Sequence, residues 1–427
     1  MVLSQKWCRT GLRGTFLGRI SGVLLVLGLL LSTASAKYGG GSGTADDPWL
    51  IYTAEQLQTL GESPSDWHER FKLMADIDLS GYTESNFNMV GKWVALGSVE
   101  NVPFSGVFDG NGKTIRNFRY MDIQAGYVGL FQYVAGSIRN LHLRNATVVG
   151  NQSGAGALVG YLEGVVRSSS ATGVDVTGNV AVGGLVGRVD GSVYLSWSDG
   201  TVTGARWVGG LVGKVDDANL DECYSKAKVI GGETVGGLVG YMTGNHAVVK
   251  SCHARGDVSG DSSVGGLVGS VSRGAVSRCY SVGAVSGDQN TGGLVGSASS
   301  VPGLHVTRCM WDVEASGQAE SPAGEGHTTA EMKSFATYEE AGWDFGLTWG
   351  LCEGVNYPVL LWQIPPADLR CPDGVTFIDF AVFAQQWMRT PCIAVNDNCD
   401  WADLNESGAV DYEDLAVLAA DWLGGLP

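Results

Sequence analysis

A run of hard oxygen donors lies near the end of the 427-residue sequence: Asp403-Leu404-Asn405-Glu406-Ser407-Gly408-Ala409-Val410-Asp411-Tyr412-Glu413-Asp414. Asp403, Asn405, Ser407 and Asp411 stand at the first, third, fifth and ninth places of a twelve-residue loop. Ala409 offers a main-chain carbonyl, Asp414 closes the loop and Gly408 makes its sharp turn. Calcium is a hard cation that takes about six to eight oxygens, and a short segment converges that many only by curling back on itself. The spacing predicts a calcium loop, with Ca2+ affinity on the order of 10⁻⁵ to 10⁻³ M from its three carboxylates. A polar turn that caps the next helix is the plainer reading of the same residues.

The element that must hold this loop is legible beside it. Leu415, Leu418, Ala419 and Trp422 share one face at helical spacing. Upstream, Asp379-Phe-Ala-Val-Phe-Ala-Gln-Gln-Trp387 matches Asp414-Leu-Ala-Val-Leu-Ala-Ala-Asp-Trp422 almost position for position, so residues 366–427 read as a duplicated loop-and-helix module. The pair resembles a type I dockerin, which implies bound calcium and a cohesin-like or cell-surface partner. Two departures stand out. The first loop, Asp368 to Asp379, places Arg370 where an Asn or Asp ligand belongs and Pro372 next to Asp373, which weakens it as a calcium site. The positions that face cohesin in that family carry Phe377, Ile378, Tyr412 and Glu413 instead of a small hydroxyl pair.

The body of the chain is repetitive. Gly156-Ala-Leu-Val-Gly160 is followed by Gly-Gly-Leu-Val-Gly starting at Gly183, Gly209, Gly236, Gly265 and Gly292, at offsets of 27, 26, 27, 29 and 27 residues. Val128-Gly-Leu-Phe131 is a variant opening copy. Within each unit Val recurs at every second place between Gly, Asp, Asn and Ser, the pattern of short strands and turns, and three strands fit per unit. One unit buries too little to stand alone, but units stacked at about 4.8 Å place Leu on Leu and Val on Val. About seven coils make a rod on the order of 35 Å long. A β-propeller is the runner-up; its blades usually need about 40 residues or more. The paired glycines are expected to supply positive φ at corners and close backbone approach.

The repeats resemble the GLUG-motif proteins, through Gly184-Leu-Val-Gly187 and its sister copies. The likeness extends to a leading segment, with Gly43-Thr-Ala-Asp-Asp-Pro-Trp-Leu-Ile51, Ala54-Glu-Gln-Leu57, Asp76-Ile-Asp-Leu79 and Phe104-Ser-Gly-Val-Phe-Asp-Gly-Asn-Gly112. It continues in a trailing one, with Thr328-Thr-Ala-Glu-Met332, Trp343-Asp-Phe345 and Tyr357-Pro358. The resemblance implies an extracellular β-helical repeat, in some members a stalk beside a catalytic domain, with no activity of its own. Thr53 to Leu60 has a helical pattern with Thr53 as N-cap, and Phe104 to Phe118 reads as strands entering the first coil; both suit a blunted rod end.

Residues 1–36 have the parts of a secretory signal: Lys6, Arg9, Arg13 and Arg19, the apolar run Ile20 to Leu31, and Ala34-Ser-Ala36. That run is shorter than the roughly 20 residues that span a bilayer, so cleavage before Lys37 and no membrane span afterwards are expected. A net charge of −17 argues against nucleic acid and suits solubility and divalent cations. Cys223, Cys252, Cys279 and Cys309 recur at one repeat position and read as a column of buried free thiols; Cys352, Cys371, Cys392 and Cys399 sit where an exported protein forms disulfides, with three connectivities open.

Catalytic motifs are missing: there is no His-Glu-x-x-His and no Gly-x-Ser-x-Gly, and His68-Glu69 lacks its second His. His246, His253 and His305 read as surface or turn residues, and Asp190, Asp199, Asp216, Asp217 and Asp257 as turn formers. Trp197, Trp207, Tyr224 and Tyr280 either pack or form a sugar-stacking strip. The expected architecture is mainly β: an N-terminal mixed cap with the first strands (37–127), a parallel β-helix solenoid (128–312), a C-terminal cap and linker (313–365), and the small α-helical dockerin-like module (366–427). The expected function is a secreted, non-catalytic surface scaffold or adhesion protein. The alternative is a polysaccharide-binding or polysaccharide-degrading (lyase- or hydrolase-type) β-helix.

Overall fold

The computed structural model describes residues 37–94, 97–299, 303–371, 373–393 and 397–424; the expected leader, 1–36, lies outside the described residues. The repeats wind a parallel solenoid. One face is a seven-stranded sheet running from Phe131–Val134 through Val159–Leu162, Val186–Val189, Val212–Asp216, Val239–Thr243 and Val268–Val271 to Val295–Ala298. Every neighbouring pair is parallel and in register, Val159 on Val186 on Val212 on Val239 on Val268 on Val295. Strands on the other faces stack likewise, with Val166, Val193, Leu220, Val249, Val276 and Val306 forming one column. Pairing of each strand with its equivalent one coil away makes this a solenoid and disposes of the propeller.

The core follows from the period: Leu158, Leu185, Leu211, Leu238, Leu267 and Leu294 are fully buried one above another. The repeat glycines serve the second of their two expected roles and not the first. A Cβ on Gly209 would sit 2.0 Å from the Val212 carbonyl oxygen and 2.5 Å from the Gly240 nitrogen, so no side chain fits. Positive φ at the corners falls instead to non-glycine columns, Asn140, Ser168, Leu195, Glu222, Ser251, Arg278 and Arg308 in one and Ala181, Trp207, Thr234, Ser263 and Asn290 in another.

Both rod ends are closed. The helix Ala54–Gly61 is capped by Thr53, whose hydroxyl accepts from the Gln56 amide, and it sends Leu57 and Leu60 into the core. Strands Trp49–Ile51 and Arg70–Leu73 lead into Val107–Arg116. At the far end Ser321 Oγ accepts from the Leu294 and Val295 amides and donates to the Val295 carbonyl, so it satisfies part of the last strand's edge. Residues 328–363 then fold back along one face as an aromatic strap. Beyond it, helices Phe377–Gln385 and Tyr412–Gly424 enclose a small separate core around Phe383, Ala402, Val410 and Leu418. Among the described residues no helix is long and apolar enough to cross a membrane.

Candidate functional site

The loop before the last helix is tied by its own acids. Asp403 Oδ1 accepts from the Ser407 amide at 2.9 Å and its Oδ2 from the Gly408 amide at 2.8 Å. Asp414 Oδ1 accepts from the Asn405 amide at 3.0 Å and its Oδ2 from the Asp411 amide at 2.8 Å. Gly408 has φ of 96°, which a side chain rarely tolerates. Asn405 Oδ1 accepts from the Ser407 amide, Ser407 Oγ donates to the Ala409 carbonyl, and Asp411 Oδ1 accepts from the Glu413 amide. Asp403 and Asp414 are 5% and 0% exposed, and among the described residues no Lys, Arg or His forms an ion pair with either of them or with Asp411. Buried carboxylates held by amides alone are a donor set that fits a hard cation. The same bonds also cap the helix, so both readings of these residues share one geometry.

The upstream loop is built on the same plan. Gly374, with φ of 99°, donates its amide to Asp368 Oδ2, and Asp379 Oδ1 accepts from the Leu369 and Arg370 amides while its Oδ2 accepts from the Thr376 amide and hydroxyl. Carboxylate oxygens of Asp368, Asp373 and Asp379 lie within 4.8 Å of one another, a convergence that brings in Asp373, which position counting had placed off the ligand pattern. Arg370 is exposed. Burial, and then the charges of Asp379 and Asp373, push the Asp368 carboxyl up to about 6, and its Oδ1 is buried without a hydrogen-bond partner. The third member of a neighbouring group, Asp373 with Cys352 and Cys371, meets sulfurs that are already joined as a disulfide. Cys392 pairs with Cys399, which selects one of the three connectivities. Phe377, Phe380, Leu415, Leu418, Ala419 and Trp422 line an apolar groove of about 400 Å³ between the two helices, with Phe377 80% exposed.

On the rod, the four repeat cysteines are free and buried, and burial pushes the thiols of Cys252, Cys279 and Cys309 well up. They do more than fill space. The Cys223 amide donates to Cys252 Sγ and the Cys252 amide to Cys279 Sγ, each at 3.4 Å, and the thiols donate back to carbonyls two residues upstream. Ser169 and Ser196 do the same in earlier coils. These bonds serve amides that the left-handed corners remove from the ladder.

Tyr224 and Tyr280 are fully buried, whereas Trp197 and Trp207 are partly open. His253 is not a surface residue: it is 0% exposed, stacked between Tyr224 at 4.9 Å and Tyr280 at 5.0 Å, with both ring nitrogens unpartnered. Burial, with Arg255 and Lys226 nearby, holds its pKa well down. The signal that could have placed it is the alignment of Cys252-His253 with Cys223-Tyr224 and Cys279-Tyr280. The strap covers these rings with Tyr338, Trp343, Trp349 and Leu360. Tyr280 Oη and Arg255 Nη2 donate to the Pro358 carbonyl, and Tyr357 Oη donates to Asp312 Oδ2.

Among the described residues, a polar groove and a mainly apolar one lie outside the module. One is lined by Arg308, Glu325, His327, Glu331 and Glu340. His327 stands 4.0 Å from Glu325 and 3.8 Å from Glu331, at ion-pair and not hydrogen-bond distance, and Glu331 is already engaged by the Thr328 amide and hydroxyl. The other contains Asp109 as its one acid, with His142 Nδ1 at 2.8 Å from Ser170 Oγ.

Comparison with known proteins agrees with the repeat. The GLUG motif matches residues 231–259, which contain the copy starting at Gly236. The chain is 34% identical over 151 residues to halomucin of Haloquadratum walsbyi, covering 35% of this chain and 2% of halomucin. It is 30% identical over 188 residues to a proposed Gly-rich membrane protein of Evansella cellulosilytica, covering 36% of this chain and 21% of that protein. The chain therefore spans a small part of either relative. A solved structure of a proposed immunoglobulin A1 protease from Bacteroides ovatus overlays with a TM-score of 0.46 at 23% identity, over 76% of this chain and 96% of that one. What the match and the coils together support is a parallel β-solenoid carrying the GLUG repeat.

Proposed function

We propose that this chain is a secreted, non-catalytic surface scaffold: a GLUG rod that displays its faces, carried by a dockerin-like C-terminal module that binds calcium and docks to a cohesin-like or cell-surface partner. The carrying observation is the module itself, two loop-and-helix units of matching hydrogen-bond plan with buried acids that lack cationic partners, beside an exposed apolar groove. Calcium at Asp403, Asn405, Ser407, Ala409, Asp411 and Asp414 neutralises that charge and stiffens the groove walls. The Asp368, Asp373 and Asp379 cluster offers a second position. One of the two relatives is a membrane protein by name, which agrees with a place at the cell surface.

Calorimetric calcium titration of the chain from Lys37 onward, with Asp403→Ala beside it, tests the module. Binding that loses one equivalent in the variant supports it. Heat signals that are absent, or unchanged by the substitution, leave the loops as helix caps and remove calcium from the function.

A further inference from the structure

We propose that the rod carries a binding groove for a neutral polysaccharide chain, next to the point where its aromatic strap ends. The proposal does not depend on the calcium module. Thr114, His142, Ser170, Trp197, Tyr224, His253, Tyr280 and Met310 stand in register on successive coils and form one column along the rod. From Tyr224 to Met310 the strap roofs this column and buries it. Trp362, the last ring of the strap, tilts onto Tyr224 at 5.6 Å, and there the cover stops.

The surface that continues past it is a groove of about 430 Å³ lined by Asp109, Asn111, Asn140, His142, Trp197 and Trp362. The covered stretch shows what this face of the rod takes, because the protein fills it with flat rings and a few polar contacts. The open stretch offers the same mixture to a ligand. Trp197 stacks on Tyr224 at 5.2 Å and 11°, so its ring is held rigidly. Asp109 is fixed by the Asn111 amide, Asn140 Nδ2 and Arg139. Fixed polar groups and rigid aromatic walls bind at little entropic cost.

A pyranose chain has the matching chemistry: C–H faces for the two tryptophans and hydroxyls for the carboxylate, the amides and the imidazole. Leu195, Ser168, Asn140 and Asn111 bring four successive coils to the groove, about 14 Å at the spacing of stacked strands, which suits a length of chain over a single sugar. Asp109 is paired with Arg139 and no other Lys or Arg lines the groove, so it offers an acidic polymer no free cation, and the chain's net charge of −17 disfavours such a polymer further.

The test titrates cellohexaose, xylohexaose and mannohexaose into the chain from Lys37 onward, with hexagalacturonate as the acidic comparison, in calcium and in chelator. Expected is binding of at least one neutral hexaose, equal in both buffers, weakened at least tenfold by Trp197→Ala and by His142→Ala. Trp207→Ala, at a ring that stacks on Tyr241 away from the groove, should leave affinity unchanged. Should Trp197→Ala lose its native circular dichroism, His142→Ala and Asn111→Gly decide, the second at an exposed left-handed position that glycine accepts. Binding by none of the neutral hexaoses, preference for hexagalacturonate, or affinity that survives the groove substitutions overturns the proposal. Equal behaviour in chelator separates that failure from failure of the calcium reading.

Discussion

The rod and the C-terminal module achieve order by opposite means. In the rod each coil presents the same buried Leu and Val to the next, and stability is spread over columns that need neither metal nor covalent links. The module buries few residues, and its order is concentrated in one disulfide of its own, Cys392–Cys399, a second that ties Cys371 to Cys352 of the strap, and two acid-lined loops. Repetition therefore protects the rod against loss of any one polar group, while the module depends on a handful.

The sharpest way to break this contrast is a cavity in the rod. Leu238→Ala empties a fully buried position in the middle of a column, and the expected loss is about 3 kcal/mol, read as a lowered denaturant midpoint of the rod transition. A shift below 1 kcal/mol would mean the coils can collapse around a gap and that packing is not what carries the rod.

Chelation tests the calcium proposed for the module. At a calcium concentration of about 100 Kd the ion contributes about 2.7 kcal/mol, which Asp403→Ala should abolish and which chelator should remove from a module transition while the rod transition stays in place. Reduction of the disulfides, of which Cys352–Cys371 closes 19 residues and ties the strap to the module, should cost at least a similar amount, about 3 kcal/mol. A single transition that responds to both treatments as one would show rod and module to be thermodynamically coupled, and the contrast would fall.

Acid reaches the rod through His253. Its folded pKa lies well below the unfolded value, so the unfolded chain takes up a proton first as pH falls. Stability should be flat above about pH 6.5 and decline below it by up to about 1.4 kcal/mol per pH unit until the folded pKa is reached. Tyr224, Tyr280 and Trp349 face the ring, and the nearby charges, Arg255 and Lys226, also oppose its protonation. His142, lowered by burial as well, adds a smaller slope of the same sign. His253→Phe should remove most of the decline; a profile unchanged by that substitution would assign acid sensitivity to other groups.

The rod was legible because burial repeats with the sequence period, so Val and Leu declare their columns. His253 was misread because it was weighed alone, although its neighbours Cys252 and Ala254 placed it in the tyrosine slot. Asp373 was missed for a different reason: the turn glycine of the first loop comes one residue later than in the second, so counting from Asp368 set the acid out of register, whereas the amide bonds of Gly374 and Gly408 show the loops to be equivalent. The aromatic strap over Tyr224 and Tyr280 has no local signal, since residues 328–363 have no period and their partners lie in distant coils.

The smallest expected effect tests why serine gives way to cysteine along one column. Cys252 Sγ accepts from the Cys223 amide and donates to the Lys250 carbonyl, the bonds that Ser196 Oγ makes with the Ser169 amide and the Tyr194 carbonyl. If the position exists to serve orphaned main-chain groups at a left-handed corner, Cys252→Ser should change stability by less than about 1 kcal/mol. Cys252→Ala, which leaves the same groups buried and unpaired, should cost more, about 1–3 kcal/mol. Thermal unfolding of the two variants side by side separates the explanations, because apolar packing alone would favour Ala over Ser, and that reversed order would return the column to simple space filling.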